Sequence, residues 1–211
     1  MKRFIPLIAI ICSYLAPAHA EITEYDFELI IFEDTSGRYA NSEQWQYELS
    51  EEIAETASAR TATKDTDAVL NISQIKGIGL NRYAKKLKSS KRYNVLVHKA
   101  WRQTGLADDE AIDMPIDSRS SNTVNSTGDA NNIHGSIKIV LGRYLHIYTD
   151  LIYQQPRMDT APVQYGQSQQ YKEYPINFHR RMRSKELHYL DHPMVGILVM
   201  AMPVKKQEDK T

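Results

Sequence analysis

Apolar and polar residues alternate through Tyr25, Phe27, Leu29 and Ile31, then the apolar ones run together over Leu29–Phe32 before Asp34-Thr35-Ser36-Gly37 breaks the pattern. Alternation that merges into a continuous apolar run predicts a strand with both faces largely covered. The same period of two recurs in 91–102, where Tyr93, Val95 and Val97 fall on one face and Leu96 and His98 on the other. His134–Leu141 and Arg143–Tyr153 read as two strands joined near Gly142. In the second, Leu145, Ile147, Thr149, Leu151 and Tyr153 share one side, and Tyr144, His146, Tyr148 and Asp150 the other. That is a half-exposed strand whose outer face is aromatic and polar. Tyr174–Arg183 sets Ile176, Phe178 and Met182 against Asn177, His179 and Arg181, and Met194–Val204 is a last apolar strand.

Two segments carry the helical period instead. Trp45, Leu49 and Ile53 recur every four residues behind Asn41-Ser42, which predicts an N-capped amphipathic helix. Leu80, Tyr83, Ala84 and Leu87 make a second stripe, opposed by Arg82, Lys85, Lys86 and Lys88, with Gly77 and Gly79 leading into it. Thr56–Asp67, Leu106–Asn132 and Arg157–Gln170 lack a period and read as loops, the middle one polar enough to be disordered. The expected fold class is α+β: a single domain with a mainly antiparallel sheet of about six strands and two helices packed on it.

The chain has 211 residues. Its first twenty read as a signal peptide: Lys2 and Arg3, an apolar stretch Phe4–Leu15, and Ala18-His19-Ala20 as a cleavage pattern. Twelve apolar-rich residues containing Pro6 fall short of the roughly 20 needed to span a bilayer. Cleavage after Ala20 predicts a soluble exported chain, a domain over 21–204 and a solvated tail over 205–211. Cys12, the only cysteine, leaves with the signal, so thiol and disulfide chemistry are excluded from the mature chain. Lys2 and Arg3 leave too, which turns a net charge of zero slightly negative and gives no footprint for nucleic acid.

Catalytic patterns are sparse. There is no G-x-S-x-G elbow, and Gly77-Ile78-Gly79 lacks the rest of a phosphate loop. Asp26, Glu28 and Asp150 are strand carboxylates that would have to meet across a sheet, while Asp108-Asp109 lies in a predicted loop. His188-x-x-x-His192 has the spacing of two metal ligands on one helical face, with His179 or His146 available as a third. Tyr189 stands where a zinc hydrolase carries its Glu, and Pro193 opposes a helix there. Hydrogen-bonded structural histidines are the commoner outcome, so no cofactor or metal is expected.

Contact chemistry is better represented. Arg180–Val199 packs four cations, two imidazoles and a tyrosine into thirteen positions before an apolar run. Tyrosine rings cover sugar faces, and Arg and Lys bind carboxylates. Against this stands the ordinary preference of Tyr for half-buried strands. Tyr144, His146 and Tyr148 are the candidates for sugar faces; Arg180, Arg181, Arg183, His188 and Tyr189 are those for carboxylates and hydroxyls. Eight cations between Arg82 and Arg102 form either an anion-binding patch or a solvated helix face.

Four stretches resemble the CsiV family of small periplasmic peptidoglycan-binding proteins: Tyr25–Phe32 (YDFELIIF), Tyr93–Gln103 (YNVLVHKAWRQ), Gly135–Leu151 (GSIKIVLGRYLHIYTDL) and Arg180–Val199 (RRMRSKELHYLDHPMVGILV). The last two are the specific ones. The resemblance implies a non-enzymatic periplasmic role, binding peptidoglycan and supporting a class A penicillin-binding protein together with its outer-membrane lipoprotein activator. It assigns no contact residues. Two other readings stand beside it. One is a metal-dependent envelope hydrolase built on His188 and His192. The other is a glycan-independent protein adaptor using an acidic helix at Glu43–Glu55 and the basic run.

Overall fold

Seven consecutive buried residues, Phe27–Glu33, make the first strand the spine of the molecule. The computed structural model describes residues 23–36, 73–119, 131–156 and 171–205. Its elements are β1 (Glu24–Asp34), β2 (Ser73–Gln74), α1 (Asn81–Lys88), β3 (Tyr93–Thr104), β4 (Asp113–Asp117), β5 (Asn132–Leu141), β6 (Leu145–Pro156), β7 (Tyr171–Met182), β8 (Leu187–Asp191) and β9 (Val195–Pro203). They form a five-stranded sheet in the order β2-β3-β1-β9-β8 and a four-stranded sheet in the order β4-β5-β6-β7. Every pairing is antiparallel.

β1 lies between β3 and β9, so both its faces are covered, as its apolar run requires. Phe27, Leu29 and Ile31 join one core with Trp101, Val199, Ile137, Ile147, Leu151 and Ile176, which places the two sheets face to face. Phe27 stacks on Trp101 at 5.4 Å between ring centroids. Ile30 and Phe32 point the other way, where Leu80 and Ala84 of the α1 region pack on them. The layers therefore run helix, five-stranded sheet, four-stranded sheet, and no strand or helix among the described residues covers the outer face of the last. Burying each large core side chain contributes about 2 kcal/mol.

A polar tie also joins the sheets. Glu33 is buried on β1 and accepts hydrogen bonds from Asn94 (2.7 Å), Asn131 (2.8 Å) and the Tyr153 hydroxyl on β6. Burial, reinforced by the Glu33 carboxylate, pushes the Tyr153 hydroxyl far above its ordinary pKa, so it remains a donor.

Several expectations need correction. All six expected strands are present, but the described residues hold nine strands in two sheets and one short helix. The helix expected behind Asn41-Ser42, the signal segment, the loops Thr56–Asp67 and Arg157–Gln170 and most of the tail lie largely or wholly outside the described residues. Within Leu106–Asn132, read as loop, Asp113–Asp117 is a strand paired with β5, and its Met114 and Ile116 are buried in the inter-sheet core. Two apolar residues separated by Pro115 make too short an alternation to stand out. Ile116→Ala is expected to cost about 2–4 kcal/mol, read as a lower urea midpoint, because it empties a core site; a loop residue would leave the midpoint unmoved.

The single-face assignment of Tyr93, Val95 and Val97 also fails. The register slips between Ile31 and Phe32, whose partners are Val97 and Val95, leaving Leu96 without an opposite residue. This bulge keeps Tyr93 and Val95 against the helix layer and turns Val97 and Trp101 into the inter-sheet core.

Candidate functional site

On the solvent side of the four-stranded sheet, strand register builds rows of side chains. Lys138, Tyr148 and His179 lie opposite one another across β5, β6 and β7. One rung along, His146 faces Arg181, and in the other direction Asp150 faces Asn177. Inward-facing Leu145, Ile147, Thr149, Leu151 and Tyr153 are all buried, which fixes the outward aim of the residues between them.

The rings are held in defined contact. Tyr148 stacks on His179 with centroids 4.2 Å apart and planes 5° from parallel. His146 Nδ1 lies 3.0 Å from His179 Nε2, so one ring donates to the other. Lys138 Nζ sits 5.1 Å from the centre of the Tyr148 ring and 3.0 Å from Asp108 Oδ1. Arg181 places its guanidinium 4.6 Å over the Tyr144 ring, and Tyr144 is 45% exposed. Cation–π contacts of this kind hold long side chains in one orientation.

The eight residues singled out in the sequence do not form one surface. Tyr144, His146, Tyr148 and Arg181 come together here. Arg180 is exposed but takes the opposite parity on β7, across from Ile147. Arg183 falls in the segment that leaves this sheet, with Glu186 at 3.7 Å. That segment turns at Lys185, whose φ is 67°, and delivers the chain to the other sheet. His188 and Tyr189 therefore lie on β8. His188 Nε2 is 3.0 Å from both the N and the O of Arg183, and Tyr189 stacks on Phe32 at 6.3 Å while donating to Asp191 at 2.6 Å. Burial first, then the bond to Asp191, keeps the Tyr189 hydroxyl protonated well above its ordinary pKa.

The helical metal face at His188 and His192 does not exist, because β8 is extended and a turn follows it before Val195. His192 Nδ1 accepts the Met194 N–H at 3.2 Å, and burial, against a smaller opposing pull from Asp191, lowers its affinity for a proton. His146 and His179, the proposed third ligands, stand on the other sheet. Among the described residues no group of three or more His, Cys, Asp or Glu converges as a metal site would.

Nor do the strand carboxylates meet. Asp26 is forked onto Arg102 at 2.6 and 2.9 Å. Glu28, fully buried on the helix side, accepts the backbone N–H groups of Ile78, Gly79 and Leu80 at 2.7, 2.7 and 2.8 Å through one oxygen, and holds His98 Nε2 at 2.7 Å with the other. Burial pushes its pKa up, but the bonds from Leu80, His98, Gly79 and Ile78 outweigh that and leave it below the usual carboxylate value. Glu28 is thus the anchor of the segment that leads into α1 (the role the paired glycines foreshadowed) and not an acid–base group. Asp150 is on the far sheet's outer face.

What the described residues offer, then, is a solvent-facing row of rings and cations. A model of one protein family, described as "Peptidoglycan-binding protein, CsiV", matches residues 3–204. The chain belongs to the CsiV family. Comparison with curated proteins and with solved structures returned no match. The CsiV match spans both sheets and α1, so the outer face described above is part of the family's shared region. Sequence reasoning missed Lys138 as a member of this CsiV face and named His179 only as a metal ligand. Outward parity on β5 and β7 was the available signal for both.

Proposed function

We propose that this protein binds peptidoglycan without enzymatic activity, gripping the polymer with the outer face of the four-stranded sheet. In this proposal the chain is exported to the periplasm and cleaved after Ala20. There it supports cell-wall synthesis by a class A penicillin-binding protein acting with its outer-membrane lipoprotein activator. Family membership supports the ligand, and the row Tyr144, His146, Tyr148, His179 and Arg181 supports the location. The observation that carries most weight is the Tyr148–His179 stack, an ordered pair of rings on the solvent side of the sheet whose edges and polar atoms can meet sugar hydroxyls, flanked by cations for acidic stem peptides.

Co-sedimentation with insoluble sacculi tests this directly. The full chain is expected to be retained above a neutral control protein. Tyr148→Ala and Arg181→Ala are each expected to weaken retention about tenfold, equal to about 1.4 kcal/mol, with an unchanged melting temperature. Retention equal to the control's defeats the proposal; loss of fold in both variants makes the residues structural.

For support of the synthase, the contact surface we favour is α1. Its Arg82, Lys85, Lys86 and Lys88 are exposed while Ala84 is buried beneath them. An acidic partner docked there would dissociate as salt rises, since exposed charge pairs are screened beyond about 10 Å at 0.1 M.

A further inference from the structure

Arg181, His146 and His179 gather on one small area of β6 and β7. Arg92, Arg102, Arg119, Arg183 and Lys138 each have a carboxylate within 4.0 Å. Arg181 has no such partner among the described residues, and yet its guanidinium is set in place over Tyr144. Directly opposite it stands His146, whose Nδ1 shares a hydrogen bond with His179 Nε2 at 3.0 Å. The remaining nitrogens of the pair, His146 Nε2 and His179 Nδ1, make no hydrogen bond among the described residues. Other charged or titratable groups on this face are Tyr148 stacked on His179, Lys138 held by Asp108, Asp150 beyond the Tyr148 rung, and Tyr144 under Arg181.

We propose that this patch binds a carboxylate of the wall polymer, and that binding draws one proton from solution onto the His146–His179 pair. The inference rests on the reading of this face as the peptidoglycan-binding surface.

Two imidazoles in contact through facing nitrogens hold one proton between them. The neutral pair carries a second proton on the other nitrogen of the accepting ring, so a third gives both rings an N–H beyond the junction. A bound carboxylate accepts from the Arg181 fork and from an imidazolium N–H of the pair, and its negative charge favours the charged ring. Tyr148, one rung along, then meets the neighbouring sugar with its ring edge and hydroxyl. Amino-sugar chains bearing acidic stem peptides present this combination of sugar and carboxylate. By linkage, a ligand that raises the proton affinity of the pair must bind more weakly as pH rises through the imidazole range.

Calorimetric titration of the full chain with a soluble disaccharide-tetrapeptide tests this, at about pH 5.5 and about pH 8 and in two buffers of unequal ionisation enthalpy. Expected are about tenfold weaker binding at the higher pH and a buffer-dependent heat near pH 7 equal to uptake of about one proton. The same ligand with its stem carboxylates converted to amides should show neither effect, and His179→Gln should abolish both while keeping the melting temperature. Equal Kd at both pH values with buffer-independent heats overturns the inference, as does unchanged proton uptake with the amidated ligand. If those results come with normal retention on sacculi, the inference alone falls; if the unmodified chain is not retained on sacculi, the binding surface falls with it. The amide arm needs no variant, so a misfolded His179→Gln leaves the test intact.

Discussion

Glu28→Ala is expected to lower stability by about 3–5 kcal/mol, the cost of breaking a buried, hydrogen-bonded charge, and the melting temperature by about 10 °C or more. Removing the carboxylate strips acceptors from three backbone N–H groups, at Ile78, Gly79 and Leu80, and leaves His98 facing an empty buried site. Those amides have no helical carbonyl to turn to, because they precede the first turn of α1. The helix should come loose from the sheet first, exposing Ile30 and Phe32. Glu28→Gln retains an acceptor for the three amides but not the charge, and should cost about 1–2 kcal/mol.

The same group sets a pH dependence of known sign. Its folded-state pKa lies below the unfolded value, so its contribution is complete above the usual carboxylate range and is lost as pH falls through the folded-state value. Urea midpoints of the wild type should therefore fall on acidification below about pH 4.5 more steeply than those of Glu28→Gln. Parallel acid limbs for the two proteins would show that Glu28 is not the group responsible.

Gly135→Ala is the second large effect, at about 3 kcal/mol or more. Gly135 has φ +133°, a region closed to side chains, and an added Cβ would lie 2.2 Å from the Asp150 carbonyl oxygen and 2.9 Å from Leu151 Cα. Both obstacles are backbone of β6, so no rotamer change relieves them; the strands must part or slip. Gly142→Ala is the matched control, since nothing lies within 4 Å of its Cβ position, and its midpoint should stay within about 0.5 kcal/mol of wild type. A Gly135→Ala protein as stable as this control would refute the clash.

Legibility followed the length of each periodic run. The outward row on β6 and the buried row beneath it were readable because ten residues alternate without a break. The lone described helix was readable from Leu80, Tyr83, Ala84 and Leu87. β8 was not, because its Leu187 and Tyr189 are exposed and only Leu190 is deeply buried, so LHYLD reads as a polar cluster. The bulge at Leu96 was hidden by the regular alternation of Tyr93, Val95 and Val97, as it exists only relative to β1. Partition into two sheets was equally invisible, since local pattern says that a strand is half-buried and not which neighbour it pairs with. The candidate face shows both sides of this. Alternation aimed Tyr148 and Arg181 outward, but only the β6–β7 register lays His179 beside Tyr148. Closeness in sequence misled in the Arg180–Tyr189 block, which crosses from one sheet to the other within a few residues.

Among the described residues, the outermost strands β4, β7 and β8 share a property with consequences for molecules meeting at high concentration. β8 is five residues long; β4 carries Pro115, and β7 carries Pro175 with Lys172, Arg180 and Arg181. Short edges, prolines that cannot donate and like charges all frustrate the joining of one sheet to the margin of another. Crowded copies are thereby discouraged from growing into ribbons, which matters for a chain rich in strands that has no cysteine after Cys12 to lock its shape.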